Sequence, residues 1–427
     1  MQTPPPTWSI DSPTGTLDRP ARAPLIVFSH LRWGFVFQRP QHLMTRLAKH
    51  FDVHFVEEPV FADGAPALMS AMHENGVEVL TPRTNVVAPG FHDDQLGVLG
   101  ALLADFVASR GIVAPLVWLY TPMALPLVAD LEPGAVVYDC MDDLASFKFA
   151  PPQLVEREAG LMALADVVFT GGPSLYEARR GRHPNLHCLP SAVDAPHYAP
   201  ARLDRNAVES LQAAELHRGL PRPRLGFFGV IDERLDLALL AGIADRRPDW
   251  QIVMVGPVVK IDPAALPQRP NIRWLGMQRY AALPHLMACW DVCLLPFALN
   301  EATRFISPTK TLEYLAGGKP VVSTPIHDVA SLYGAAVQIA STADEFVAAV
   351  DAALARSDGE HRDWAVRAQA LVDGCTWDGT AAVIVNLLMA CVPAATSAPT
   401  LPAPAEDDAP LAVPRPVDLP SLRPLSA

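Results

Sequence analysis

The sequence predicts an α/β protein made of two doubly wound parallel-sheet domains that face each other across a cleft. Four observations predict it. The chain has 427 residues, two to three times the ~100 to 200 residues usual for one domain. Short Val/Ile/Phe-rich runs alternate with segments of helical period, the pattern of parallel strands joined by crossover helices. The alternation pauses after residue 200 and restarts near residue 223. Half of the residues are hydrophobic and 19% are charged, which supplies two cores and is far from the composition of an unfolded chain.

Each element follows from its run. In the first half Pro24–Ser29, Val53–Glu58, Pro115–Tyr120, Ala135–Cys140 and Asp166–Gly171 read as strands, with helices such as Arg39–His50 and Gln153–Leu164 between them. The second half repeats the scheme with Pro223–Val230, Trp250–Gly256, Asn271–Gly276, Asp291–Phe297 and Lys319–Thr324. After the last strand the chain is expected to be helical to about Met389. Two Rossmann-like domains result, 23–200 and 223–375, with a polar linker at 201–222 and a C-terminal helix at 376–392. Six prolines fall in residues 1 to 24 and nine in residues 392 to 427, so the ends 1–22 and 393–427 are expected to be extended and disordered.

Composition narrows the partners. The formal charge of −13 argues against general attraction to nucleic acid or anionic lipid, while leaving room for a local basic patch and peripheral contact with a membrane. The six Cys are scattered, without a Cys-x-x-Cys pair or clustered His, and read as reduced core residues in a cytoplasmic protein. The N-terminus lacks a continuous apolar stretch, so no signal peptide is expected. The apolar run Ala381–Ala395 falls short of the roughly 20 residues that span a bilayer.

In doubly wound sheets ligands gather beyond the C-terminal strand ends, which selects the residues worth weighing. The richest segment is RFISPTKTLEYLAGGKPVVSTP, Arg304 to Pro325. Ser307, Pro308 and Thr309 read as an N-cap and helix start, Lys310–Ala316 as the helix, and Gly317-Gly318 as its end. A helix N-terminus with the Lys310 ammonium suits a diphosphate, and Glu313, one turn on, suits the hydroxyls of a ribose. Taken alone, a solvated Lys310 and a Glu313 paired to a nearby lysine explain the same residues.

As a set, the motifs resemble a known family. SPTKTLEYLAGGKPVV is similar to the donor-nucleotide motif of GT-B glycosyltransferases. FSHLRWGFVFQRPQHL, VVYDCMDDL, FTGGPSLYEARR, LGFFGVIDERLDLALL and NEATRFISPTKTLEY narrow the resemblance to bacterial family-1 or family-4-like enzymes of surface polysaccharide assembly. The resemblance spans roughly Leu25 to Met389. It implies that Glu313 binds the donor ribose, Lys310 the diphosphate, Arg234 the diphosphate as a second cation, and Gly276-Met277 the nucleobase through the backbone. It also implies a nucleotide-sugar co-substrate, expected as a UDP-sugar, and a glycan or lipid-linked acceptor. In one respect the chain departs from the pattern: many retaining members carry a further Glu eight positions before the ribose Glu, and here that position is Phe305, which leaves the anomeric outcome undecided.

Other residues are expected around this site. Gly229 ends the strand of GFFGVIDER where a ligand approaches the backbone. His30, Trp33 and Arg39 follow the first strand closely and suggest an acceptor pocket, with Trp33 and Arg39 binding sugar and His30 carrying a proton; a buried interface Trp and a structural His bond are the alternatives. Asp139 and Asp142, at the end of AVVYDC, are candidates to accept a proton from the attacking hydroxyl. No Gly-x-Ser-x-Gly, Walker, His-Glu-x-x-His or Asp-x-Asp motif occurs. A site without metal or further cofactor is therefore expected, with Arg, Lys and helix N–H groups facing the diphosphate. The expected function is metal-independent sugar transfer; a nucleotide-sugar epimerase and a noncatalytic glycan-binding scaffold remain alternatives on the same fold.

Overall fold

The structure, a computed structural model, describes residues 22–200 and 203–391. Apart from Arg22, the segments expected to be disordered lie outside the described residues. Among those described, the first sheet contains β1 (Pro24–Phe28), β2 (Asp52–Val56), β3 (Val60–Phe61), β4 (Ala67–Met72), β5 (Val77–Thr84), β6 (Leu116–Leu119), β7 (Ala135–Cys140), β8 (Val167–Thr170) and β9 (Leu186–Cys188). Their order is β3-β5-β2-β1-β6-β7-β8-β9, and β4 pairs antiparallel with β5. The second sheet contains β10 (Arg224–Phe228), β11 (Gln251–Val255), β12 (Ile272–Trp274), β13 (Val292–Leu295), β14 (Val321–Ser323) and β15 (Val337–Ile339). It is parallel throughout, in the order β12-β11-β10-β13-β14-β15.

The strands read from the sequence are those covered on both faces, which is why they appear as unbroken apolar runs. β6, β7, β8, β11 and β13 are buried at every position. In each sheet the order reverses beside the first strand, between β1 and β6 and between β10 and β13. Loops leaving the strands at these two points form the crevices in which such folds take ligands.

The strands that the sequence reading omitted are short or peripheral. β9 and β15 have three residues each. β5, VEVLTPRT, carries Glu78 and Pro82 inside its run, and its charge is hidden only by distant partners: Glu78 binds His54 at 2.8 Å and Arg110 at 2.7 Å. β4 lies over the outer side of β5 with most of its residues exposed.

Apolar clusters cover both faces of the first sheet, and another surrounds the second. The chain passes between cores at Ala192–Val193, earlier than the expected linker 201–222, because Val193 and Tyr198 already pack in the second core. The later part of that stretch is not a bare linker either. Val208–Leu216 is helical, its Ala213 is in the second core, and the Trp290 indole N–H donates to His217 Nε2 at 3.0 Å.

The chain then returns. The last helix, Trp377–Cys391, packs on the first domain, where Trp377, Ile384 and Leu388 are fully buried. Its Trp377 stacks on His42 with ring centroids 4.8 Å apart, and Asp378 accepts from Arg46 at 2.9 Å. At the crossing Val193 and Thr376 form a parallel bridge: Val193 N–H donates to Cys375 O at 3.0 Å and Trp377 N–H donates to Val193 O at 3.4 Å. Among the described residues no helix is long and apolar enough to cross a membrane.

Removing the Trp377 ring would leave a cavity beneath a helix that depends on it. Trp377→Ala is expected to cost about 3–5 kcal/mol, the range for large-to-small aromatic changes in cores, measured as a lower urea midpoint; an unchanged midpoint would show that this helix is not part of the first domain's cooperative unit.

Candidate active site

The helix Lys310–Ala316 is anchored before its charged face is used. Leu312 and Tyr314 are fully buried, and the Tyr314 hydroxyl accepts the Phe228 N–H at 2.9 Å, tying the helix to the end of β10. That leaves Lys310 and Glu313, three residues apart, on the side facing the crevice. The expected Ser307 cap is not formed. The N-cap position is Thr309, without a side-chain cap, while Ser307 Oγ is buried without a partner and Ser307 O accepts from Ser191 Oγ of the first domain at 2.7 Å.

Two glycines make room for the lysine. Gly229 has φ +138°, and a Cβ there would stand 2.0 Å from Lys310 Cε, so the side chain crosses the end of β10 only because that position has no side chain. Gly256, at φ +145°, lies against Gly229, and a Cβ on it would stand 1.8 Å from Gly229 O. Gly256 was not singled out from the sequence; its signal is a Gly directly after the buried run QIVMV.

Arg234 reaches the same place from the loop after β10. Asp232 holds its guanidinium with bonds of 2.9, 3.1 and 2.7 Å, and the cation lies over the Phe147 ring of the first domain, 5.5 Å from its centroid. Asp232, another residue missed in the sequence, fixes a side chain that would otherwise sample many rotamers. Burial pushes the Lys310 ammonium down, with Arg234 adding to the effect and Glu313 opposing it. Burial pushes the Glu313 carboxyl up, and Lys310 opposes that.

These groups line two adjoining cavities. The larger, about 340 Å³, runs between the loop at Trp33–Gln38 and the second domain, touching Gly229, Arg234, Met277, Lys310 and Glu313. Tyr280 forms part of its wall, stacked between Phe37 at 4.4 Å and His197 at 4.1 Å. The smaller, about 80 Å³, shares Thr309, Lys310 and Arg234 with the first and adds Ser307, Pro308, Arg39 and Asp142. Burial pushes Asp142 up to about 6, against the pull of Arg234, Arg39 and Lys310. Asp142 is thus a carboxylate that titrates just below neutrality, facing cations from the other domain.

Several expected roles change. Asp139 is fully buried, and both of its oxygens accept from Arg39, at 2.9 and 3.0 Å. Arg39 also donates to Leu189 O at 2.8 Å. The two side chains are committed to each other, so Asp139 is not a free base and the Arg39 guanidinium is not a free sugar ligand, although Arg39 still borders the smaller cavity. The Trp33 ring is only 8% exposed and packs edge-on against Phe55 at 5.0 Å, as a core residue and not as an open stacking surface. Its backbone N–H donates to Glu57 at 2.6 Å, and Glu57 also binds Arg32, which holds the loop against the first domain.

His30 faces a different cavity from Asp142. Burial, with Lys260 nearby, pushes it down to about 4, so the imidazole is neutral at physiological pH and carries no proton to deliver. Phe305 packs with the apolar cluster of the first domain, and Glu301 is exposed and paired with Arg304 at 3.8 Å. Neither supplies the additional carboxylate found in many retaining relatives. The helix start after Gly171-Gly172 is occupied by Asp328 of the second domain, which accepts the Ser174 N–H at 3.0 Å.

The Arg39–Asp139 assignment has a direct test. Asp139→Asn breaks a buried ion pair and is expected to cost about 3–5 kcal/mol of stability, read from chemical denaturation. Loss of turnover with unaltered unfolding would return Asp139 to a catalytic role.

Comparison with known proteins agrees with this geometry. Residues 222–356 match the model of the family described as glycosyl transferases group 1. The chain is 24% identical over 266 residues to TuaH of Bacillus subtilis (strain 168), a protein whose name assigns it to teichuronic acid biosynthesis as a glycosyltransferase. That match covers 56% of this chain and 64% of the relative. Among solved structures, sucrose-phosphate synthase from Thermosynechococcus elongatus superposes with a TM-score of 0.66 at 15% identity, over 86% of this chain and 99% of that one. Anabaena Alr3699/HepE in complex with UDP and glucose gives 0.63 at 15% identity, over 86% and 100%. With two parallel-sheet domains and cations at the strand ends of the second, the chain has the GT-B fold, and residues 222–356 of its second domain match the glycosyl transferases group 1 family.

Proposed function

We propose that this protein transfers a sugar from a nucleoside-diphosphate donor, a UDP-sugar, to a hydroxyl of a glycan or lipid-linked acceptor in surface polysaccharide assembly. The observation that carries the reading is the convergence of Lys310 and Arg234, from two strand-end loops of the second domain, on cavities closed by the first. The UDP complexes of HepE and the teichuronic acid assignment of TuaH support the choice of donor and acceptor class.

In this reading the donor lies along the larger cavity. Glu313 accepts hydrogen bonds from the ribose hydroxyls, and the base rests near Met277, beyond the Gly276 turn. The diphosphate meets Lys310 and Arg234, beside a helix start that no side chain caps. As the bond from the anomeric carbon to the phosphate oxygen breaks, its electron pair leaves with the diphosphate, and the two cations stabilise that growing charge. The acceptor oxygen bonds to the anomeric carbon and gives up its proton, which Asp142 takes as base in this reading. The charge on the leaving group is met by side chains of this chain without a metal ion. A cytoplasmic location, with peripheral contact at the inner face of the membrane, fits a lipid-linked acceptor.

Because charge on the leaving oxygen is greatest in the transition state, the cations contribute more to turnover than to donor affinity. Lys310→Ala and Arg234→Ala are each expected to lower turnover at least about tenfold, or about 1.4 kcal/mol, with saturating UDP-sugar and acceptor and with unfolding unchanged. Near-normal rates would place the diphosphate elsewhere.

The pH profile tests Asp142. A carboxyl that titrates at about 6 in the free protein and works as a base is ionised above that pH. kcat/KM should therefore rise through an acidic limb centred near pH 6, and Asp142→Asn should lower the plateau and abolish the limb. The same limb in the variant would assign it to another group.

A further inference from the structure

The two domains meet at a buried carboxylate that the reaction does not use. Asp328, the second residue of the helix His327–Tyr333 in the second domain, is fully buried. Its Oδ1 accepts the Ser174 N–H of the first domain at 3.0 Å, and its Oδ2 has no hydrogen-bond partner among the described residues. The hydroxyls of Ser174 and Ser307, one from each domain, are likewise buried and unpartnered.

Gly172 lets these groups approach. A Cβ there would stand 2.2 Å from Asp328 Oδ2, 2.8 Å from Ser307 Cβ and 3.3 Å from Ser307 Oγ. The backbone at Gly172 is extended, with φ −174°, so the position needs the missing side chain for room and not for conformation. Beside it Ser191 Oγ donates to Ser307 O at 2.7 Å, a second bond between the domains. Ser191, Ser307 and Gly171 also line the smaller cavity with Lys310 and Arg234, so this contact forms the back of the crevice.

The contact is built to open. Closing strips water from three oxygens and gives them no partner in exchange, and each regains water when the domains part. Charge decides when. Cations on the elements packed against Asp328 are committed elsewhere: Arg179 to Asp143 and Glu158, Arg180 to Glu177, Arg39 to Asp139 and Arg304 to Glu301. The titratable groups that face it are His327 beside it, Tyr333 on the same helix and Cys188 at the end of β9. Burial pushes the Asp328 carboxyl up, against the Ser174 N–H and His327.

We propose that Asp328, with Gly172, Ser174 and Ser307, is a latch between the domains that shuts around a neutral carboxyl and releases when that carboxyl ionises. The shut form binds the proton more tightly than the open form, in which water restores an ordinary carboxylate. Closure is therefore strongest at acid pH and weakens as pH rises through the range in which the buried carboxyl ionises.

Hydrogen exchange of the Ser174 amide, measured on the full chain without nucleotide or sugar, tests the latch apart from the sugar-transfer reading. After correction for intrinsic rates, its protection should fall at least about threefold between about pH 5 and about pH 8, while amides of β7 and β8 keep theirs. Asp328→Asn, neutral at every pH and still an acceptor, should remove the dependence, and His327→Gln should retain it. Gly172→Ala, whose Cβ has no place in the shut form, should lower Ser174 protection at every pH with β7 and β8 unchanged. Wild-type protection that does not vary with pH, the same variation in Asp328→Asn, or wild-type protection in Gly172→Ala would each overturn the proposal.

Discussion

Two cations held side by side in a partly buried crevice set the terms for everything around them. Lys310 and Arg234 repel each other, and a low-dielectric environment strengthens that repulsion. The fold contains it with Asp232 clamped on Arg234, Glu313 one turn behind Lys310, and Asp142 across the domain boundary. The second domain thus supplies both cations of the crevice, and the first domain places one acid opposite them, its carboxyl pushed up by burial.

Much of this could be read from the sequence, and the remainder was hidden for identifiable reasons. Central strands announce themselves because burial on both faces demands continuous apolar residues, and the helix from Lys310 to Ala316 is bracketed by Pro308 and Gly317. Contacts between residues far apart leave no local trace. Arg39 and Asp139 are 100 residues apart, and each alone looks like an available functional group; only the fold shows that they satisfy one another. Trp33 misled in the same way, since an aromatic residue beyond a strand end is equally suited to a sugar and to a core. Gly256 and Asp232 act through Gly229 and Arg234, and a supporting role of that kind has no motif of its own.

The first domain commits several charged groups to structure. The Arg39–Asp139 pair, the Glu57 contacts and the Glu78 cluster all lie at or under its ligand-facing loops or its edge strands. Buried polar groups of this kind are costly unless fully paired, and pairing them over long sequence distances fixes loop positions that apolar packing leaves loose. Asp142 contrasts with them, since it comes from the same strand end as Asp139 but finds its cations in the opposite domain.

The double crossing of the chain has a mechanical consequence. The segments at Val193 and Thr376 run side by side and are hydrogen-bonded to each other, so the two lobes are joined by a short ribbon instead of a single thread. A single thread permits swivelling about its own length; a paired ribbon resists twist and bends readily in one direction only. Twist between the lobes is thereby restrained at the crossing by two backbone hydrogen bonds as well as by the contacts of the cleft itself.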